Sequence, residues 1–151
     1  MKIAIPIHFF YIKYNAKQFP GNTNRKGLKF GANCQYFVFE LLKHFGVKVK
    51  KTFRSSELWE DVVETKKVKR LALFDIVFFN STEKAYGAHL GVYLEKNKVI
   101  HLSRKVGYPT IWDIKEFFKY KEYKYYLGAK RVINKSSKIP NITQPTDRVV
   151  G

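Results

Sequence analysis

Cys34 is the only cysteine in a chain of 151 residues, and His89 and His101 follow it. Those are the residue types that thiol catalysis uses. A neutral imidazole can take the thiol proton, leaving a thiolate–imidazolium pair. A third polar group can hold that imidazole in the working tautomer. The stretch around the cysteine reads Gly31-Ala32-Asn33-Cys34-Gln35-Tyr36-Phe37-Val38-Phe39-Glu40-Leu41-Leu42. Phe37, Val38, Leu41, Leu42 and Phe45 recur at helical spacing, and Gly46 ends the run. Cys34 is therefore expected at or just before the first turn of a helix ending near Phe45. Unpaired N–H groups and the positive dipole end there favour a thiolate, and the same groups could bind an oxyanion. A lone cysteine among Phe and Val also fits a small buried hydrophobe. The two downstream histidines favour the nucleophile. His8 and His44 read as structural side chains.

The elements that must position these groups follow from the periodicity. Residues 3 to 14 fit either a strand or a buried loop, and residues 15 to 33 read as a glycine- and asparagine-rich loop. A second helix is expected after Ser55 or Ser56, with Glu57, Glu60 and Asp61 in its early turns. Ile76 to Phe79 is a continuous apolar run, expected as a buried strand. Ala88 to Leu94 alternate, with His89, Gly91 and Tyr93 on one face. A turn at Glu95–Lys98 leads to a strand over 99–103 that carries His101 on the equivalent face. An ideal hairpin with its turn near Asn97 places His101 opposite roughly residue 93, so twist or a bulge is needed to join the rings. Ile111 to Tyr120 is expected as a short helix capped near Thr110, and Tyr125 to Ile133 as a strand. The reading is one α+β domain over 1–133, helices on one side of an antiparallel sheet, with an extended or disordered tail over 134–151.

Composition limits the partners. The chain has 29 Lys and Arg against 12 Asp and Glu, a net charge of +17. That predicts attraction to an anionic polymer or nucleic acid, or else a solvated lysine surface. One cysteine excludes a disulfide framework and a cysteine-rich zinc site. No His or Cys spacing supports a metal site, and there is no P-loop or Rossmann glycine pattern; no metal and no cofactor are expected. Pro6 and His8 interrupt the N-terminal apolar run, so no signal peptide is expected; the protein would be cytoplasmic or exported by another route. No stretch is long and apolar enough to span a membrane.

Taken in order, the motifs resemble those of NlpC/P60-type cysteine peptidases, which have a papain-like fold. The family's D-C-S-G-[FL]-V at a helix start is matched by Asn33-Cys34-Gln35-Tyr36-Phe37-Val38. Its G-D-[LIV]-x-F-F is matched by Phe74-Asp75-Ile76-Val77-Phe78-Phe79. Its H-[VA]-G-[IV]-Y-[LI], then [IV]-H, is matched by His89-Leu90-Gly91-Val92-Tyr93-Leu94 and Ile100-His101. A closing R-R-V is matched by Lys130-Arg131-Val132. The resemblance implies a papain-like α+β fold, its nucleophile-bearing helix packed on an antiparallel sheet, with Cys34 as nucleophile, His89 as base and His101 as the orienting third residue. The chain departs from the pattern where Asn33, Gln35 and Tyr36 replace Asp, Ser and Gly. Those three residues, with Tyr14 and Trp59 and more weakly Tyr11, are expected to line the substrate.

The expected activity is a thiol hydrolase cleaving an amide bond, most readily in a peptidoglycan peptide. One alternative is a papain-like thiol acyltransferase, in which an amine or hydroxyl replaces water. Another, from a different class, is a non-catalytic basic module binding an anionic polymer or nucleic acid, since a fold does not fix a function.

Overall fold

Apolar spacing of 3.6 residues builds the helix that starts at Cys34, and a continuous apolar run builds the central strand of the sheet it covers. The computed structural model describes residues 3–21, 27–49 and 54–133, with the backbone of 147–150. β1 (Ile3–Pro6) opens the chain and runs into a 3-10 turn, Ile7–Tyr11. α1 (Cys34–His44) follows the long loop. Then come α2 (Ser55–Glu60), β2 (Thr65–Val68), β3 (Ile76–Asn80), β4 (His89–Tyr93), β5 (Lys98–His101) and β6 (Thr110–Asp113). α3 (Ile114–Phe117), β7 (Tyr125–Val132) and β8 (Asp147–Val150) complete the order. Six strands form one sheet in the order β2-β7-β3-β4-β5-β6, and β1 pairs with β8 apart from it. Every pairing in these sheets is antiparallel. The fold is α+β and papain-like, as expected. Of the tail, 134–146 lies outside the described residues, and Asp147–Val150 lie along β1.

β3 is buried on both faces, which is why its sequence is apolar without alternation. Ile76 and Phe78 face α1, where Phe37, Val38, Leu41 and Leu42 complete the larger core with Leu90, Val92, Ile100 and Leu102. Val77 and Phe79 face the other way, into a smaller, aromatic core with Tyr93, Val99, Phe117 and Tyr123. His89 and His101 lie on this second face.

The local expectations were met unevenly. Ser55 does not cap α2: Arg54 holds that position, and the Ser55 hydroxyl donates to the Ala85 carbonyl at 2.9 Å. The short helix expected over 111–120 is half strand. Thr110–Asp113 pair with β5, and Asp113, not Thr110, caps α3 by accepting from the Lys115 N–H at 3.0 Å. An edge position on the sheet outweighed the helical pattern there. Phe74 stands where the family motif has glycine and keeps a glycine-like φ of 73°. Its ring stacks on Phe45 with centroids 4.8 Å apart, which helps to offset the roughly 1–2 kcal/mol of left-handed strain.

Candidate active site

Asn33 sets the start of α1. Its side-chain oxygen accepts from the Tyr36 N–H at 2.8 Å, an N-cap that places Cys34 in the first turn. The N–H groups of Leu90, Gln35 and Cys34 itself are directed at the sulfur. The helix start thus meets the beginning of β4, and Cys34 and His89 line one cleft of about 790 Å³. Burial pushes the Cys34 thiol up from its ordinary value, and the three N–H groups pull against it without reversing it. That direction runs against the lowering expected from the helix terminus alone. Desolvation outweighs the dipole here.

His89 Nε2 and His101 Nδ1 are 2.8 Å apart. The observed register makes this contact without a bulge between β4 and β5. Val92 pairs with Ile100 and Tyr93 with Val99, so continuing the ladder sets His101 opposite Gly91, two residues nearer His89 than expected. The turn accounts for the difference. Glu95, Lys96 and Asn97 all take positive φ, which centres the reversal one residue earlier. Gly91 clears the way for the ring. A Cβ there would meet Val99 Cγ1 at 2.5 Å, the Ile100 carbonyl oxygen at 3.2 Å and His101 Cβ at 3.3 Å.

Both imidazoles sit in an aromatic box. The Tyr123 ring lies 4.8 Å from His89 at a 31° tilt. Trp112 and Phe117 lie 4.4 and 4.6 Å from His101. Burial pushes His89 down to about 4, and burial followed by the neighbouring His89 holds His101 well below its ordinary value. Both rings are neutral at pH 7. Because His89 Nε2 is engaged with His101, Nδ1 is the nitrogen left to take a proton from the thiol. That requires His89 Nε2–H to donate to His101 Nδ1, and His101 to carry its own proton on Nε2. That atom is buried and has no hydrogen-bond partner among the described residues.

The other expected site residues divide. Tyr14 lines the large cleft, with the Arg104 guanidinium 5.7 Å from its ring. Asn33 and Gln35 line a second cleft of about 330 Å³ that shares Cys34. Tyr36 lines neither cleft. It is buried, and its hydroxyl accepts from the Gly27 N–H at 3.0 Å, so its bulk serves the preceding loop. Trp59 is also outside both clefts. It packs on Phe78 at 5.0 Å and over Gly128, under the Lys67 ammonium. Tyr11 is 72% exposed and lines neither. The sequence reading missed Tyr123; its only signal was an aromatic ahead of β7. Burial pushes its hydroxyl up, and a hydrogen bond from Ser103 opposes the shift. Among the described residues, no group of three or more His, Cys, Asp or Glu side chains is gathered to hold a metal ion. No described helix is long and apolar enough to cross a membrane.

Among solved structures, the NlpC/p60 domain of the peptidoglycan hydrolase SagA is similar in fold, with a TM-score of 0.51 at 16% identity. The match covers 73% of this chain and 84% of that one. Comparison with curated protein sequences gives no significant match. The sequence pattern of the NlpC/P60 family matches residues 18–123, which span the cysteine helix, both histidine strands and Tyr123, and the chain belongs to that family.

Proposed function

We propose that the protein is a peptidoglycan-cleaving thiol hydrolase acting on an amide bond through Cys34, His89 and His101. The observation that carries this reading is the 2.8 Å His89–His101 contact at the wall of a cleft that Cys34 also lines. Cys34 Sγ attacks the carbonyl carbon as its proton passes to His89 Nδ1. The N–H groups of Cys34 and Gln35 lie beside the sulfur, where the carbonyl oxygen gathers negative charge. The C–N bond breaks, and His89 returns the proton to the leaving nitrogen. Water then attacks the thioester with His89 as base, releasing the acid and the thiol. Transfer from thiol to imidazole keeps the two charges adjacent, so no isolated buried charge must persist.

The substrate class is supported by family membership and by the SagA domain's fold. The test is digestion of purified wall muropeptides, read by mass spectrometry, with wild type and Cys34→Ala. Cleavage at one amide bond, absent in Cys34→Ala, is the expected result. Products carrying an added amine in place of water would identify an acyltransferase instead. No product from any muropeptide would remove the peptidoglycan assignment.

A further inference from the structure

Cys34 stands between two lobes, one of them much the more basic. Cys34, Gly87 and Ala88 line both clefts, but His89 lines only the larger. The larger lobe also carries Tyr14, Arg104, Lys105, Lys121, Glu122 and Lys124. Four cations there face one carboxylate, and that carboxylate is taken by Lys105 at 3.0 Å. Arg104 rests over Tyr14, and Lys124 lies 5.1 Å from the Tyr125 ring. Among the described residues, no carboxylate is paired with Arg104, Lys121 or Lys124. In the smaller lobe the lining cation is Arg54, which lies 3.8 Å from Glu57, and the remaining wall includes Phe19, Gln35 and Tyr86.

The two lobes are therefore not interchangeable. In amide cleavage the departing nitrogen must lie within reach of the imidazole that protonates it. The half of the substrate that leaves as the amine must then extend along the lobe that His89 lines. We infer that the leaving-amine half carries a free carboxylate, bound by the basic rim of Arg104, Lys121 and Lys124, while the acyl half lies in the lobe lined by Phe19, Gln35 and Tyr86. This rests on the hydrolase reading above and adds a direction and a charge to it. Guanidinium and ammonium groups at a cleft mouth bind a carboxylate through charge-assisted hydrogen bonds, which weaken as salt screens them.

Two measurements test it. The first compares kcat/KM for matched wall peptides whose leaving-half carboxylate is free or amidated. The free acid should be preferred about tenfold at low ionic strength, the worth of one partly exposed charge-assisted contact. The preference should shrink with added salt and collapse toward one in the double variant Lys121→Glu, Lys124→Glu. The second needs no substrate: the rate of Cys34 alkylation by iodoacetate relative to iodoacetamide, with the unfolded chain as reference. The folded protein should favour the anionic reagent, and the charge-reversed variant should not. Peptide cleavage with no carboxylate preference would overturn the inference, as would a preference for a carboxylate on the acyl half. If no wall peptide is cleaved but the iodoacetate preference holds, the hydrolase reading fails and the anion-binding lobe stands.

Discussion

Two partly buried polar pairs brace the same sheet, and they are built on opposite principles. Asp75, at the head of β3, is fully buried and accepts from Arg131 Nε and Nη2, each at 2.8 Å, and from the Ala72 N–H at 2.7 Å. Arg131 Nη2 also donates to the Arg70 carbonyl. That pair is charged, two-pronged and saturated, and it ties β7 to β3. His89 and His101 share one hydrogen bond, are held neutral by burial, and leave His101 Nε2 without a partner among the described residues. A buried charge is stable where every lone pair is met. The histidine pair is built the other way: one hydrogen bond orients the His89 ring, and neither ring has an opposite charge to meet.

The largest expected effect falls on the histidine side. His89→Ala should lower kcat/KM by about 10²–10⁴, the usual worth of a positioned acid–base group, while the protein stays folded. Cooperative unfolding lost together with activity would make His89 a structural residue and erase the contrast. Next, Asp75→Ala leaves Arg131 without its carboxylate and should cost about 3–5 kcal/mol in denaturant titration. The folded fraction should keep a near-native kcat, and a stability loss below about 1 kcal/mol would show that the pair is not the brace described.

A smaller effect separates two replacements of His101. His101→Asn presents an amide oxygen that can accept from His89 Nε2–H, whereas His101→Ala presents nothing. Asn should retain about tenfold more activity than Ala, the worth of one hydrogen bond of roughly 1.4 kcal/mol. Equal losses would mean that the ring acts only by filling the aromatic box. The pH dependence should be the mildest signature. With His89 lowered to about 4, the folded protein binds fewer protons than the unfolded chain between there and the ordinary histidine range near 6.5. Stability from the neutral pair is thus fully present above about 6.5 and is lost as pH falls toward 4. The acid limb of kcat/KM should follow His89 and lie below 6.5. The same limb in Asp75→Ala would confirm that the two pairs are independent, and a limb displaced in that variant would couple them.

Much of this protein is written in local sequence. The 3.6-residue spacing after Cys34, the apolar run at Ile76–Phe79 and the alternation from Ala88 determined α1, β3 and β4, because burial of one stripe or both faces leaves a periodic trace. The ordered cysteine and histidine motifs determined which residues were candidates for chemistry. What the sequence left open depended on contacts between distant segments. Only the tertiary structure decided that β7 lies between β2 and β3, that three left-handed turn residues set His101 opposite Gly91, and that Tyr36 and Trp59 turn away from the cleft. It also decided the direction in which the Cys34 thiol is shifted. A helix terminus visible in the sequence favours a thiolate, but the burial that outweighs it comes from packing elements far apart in the chain, and no local pattern records that.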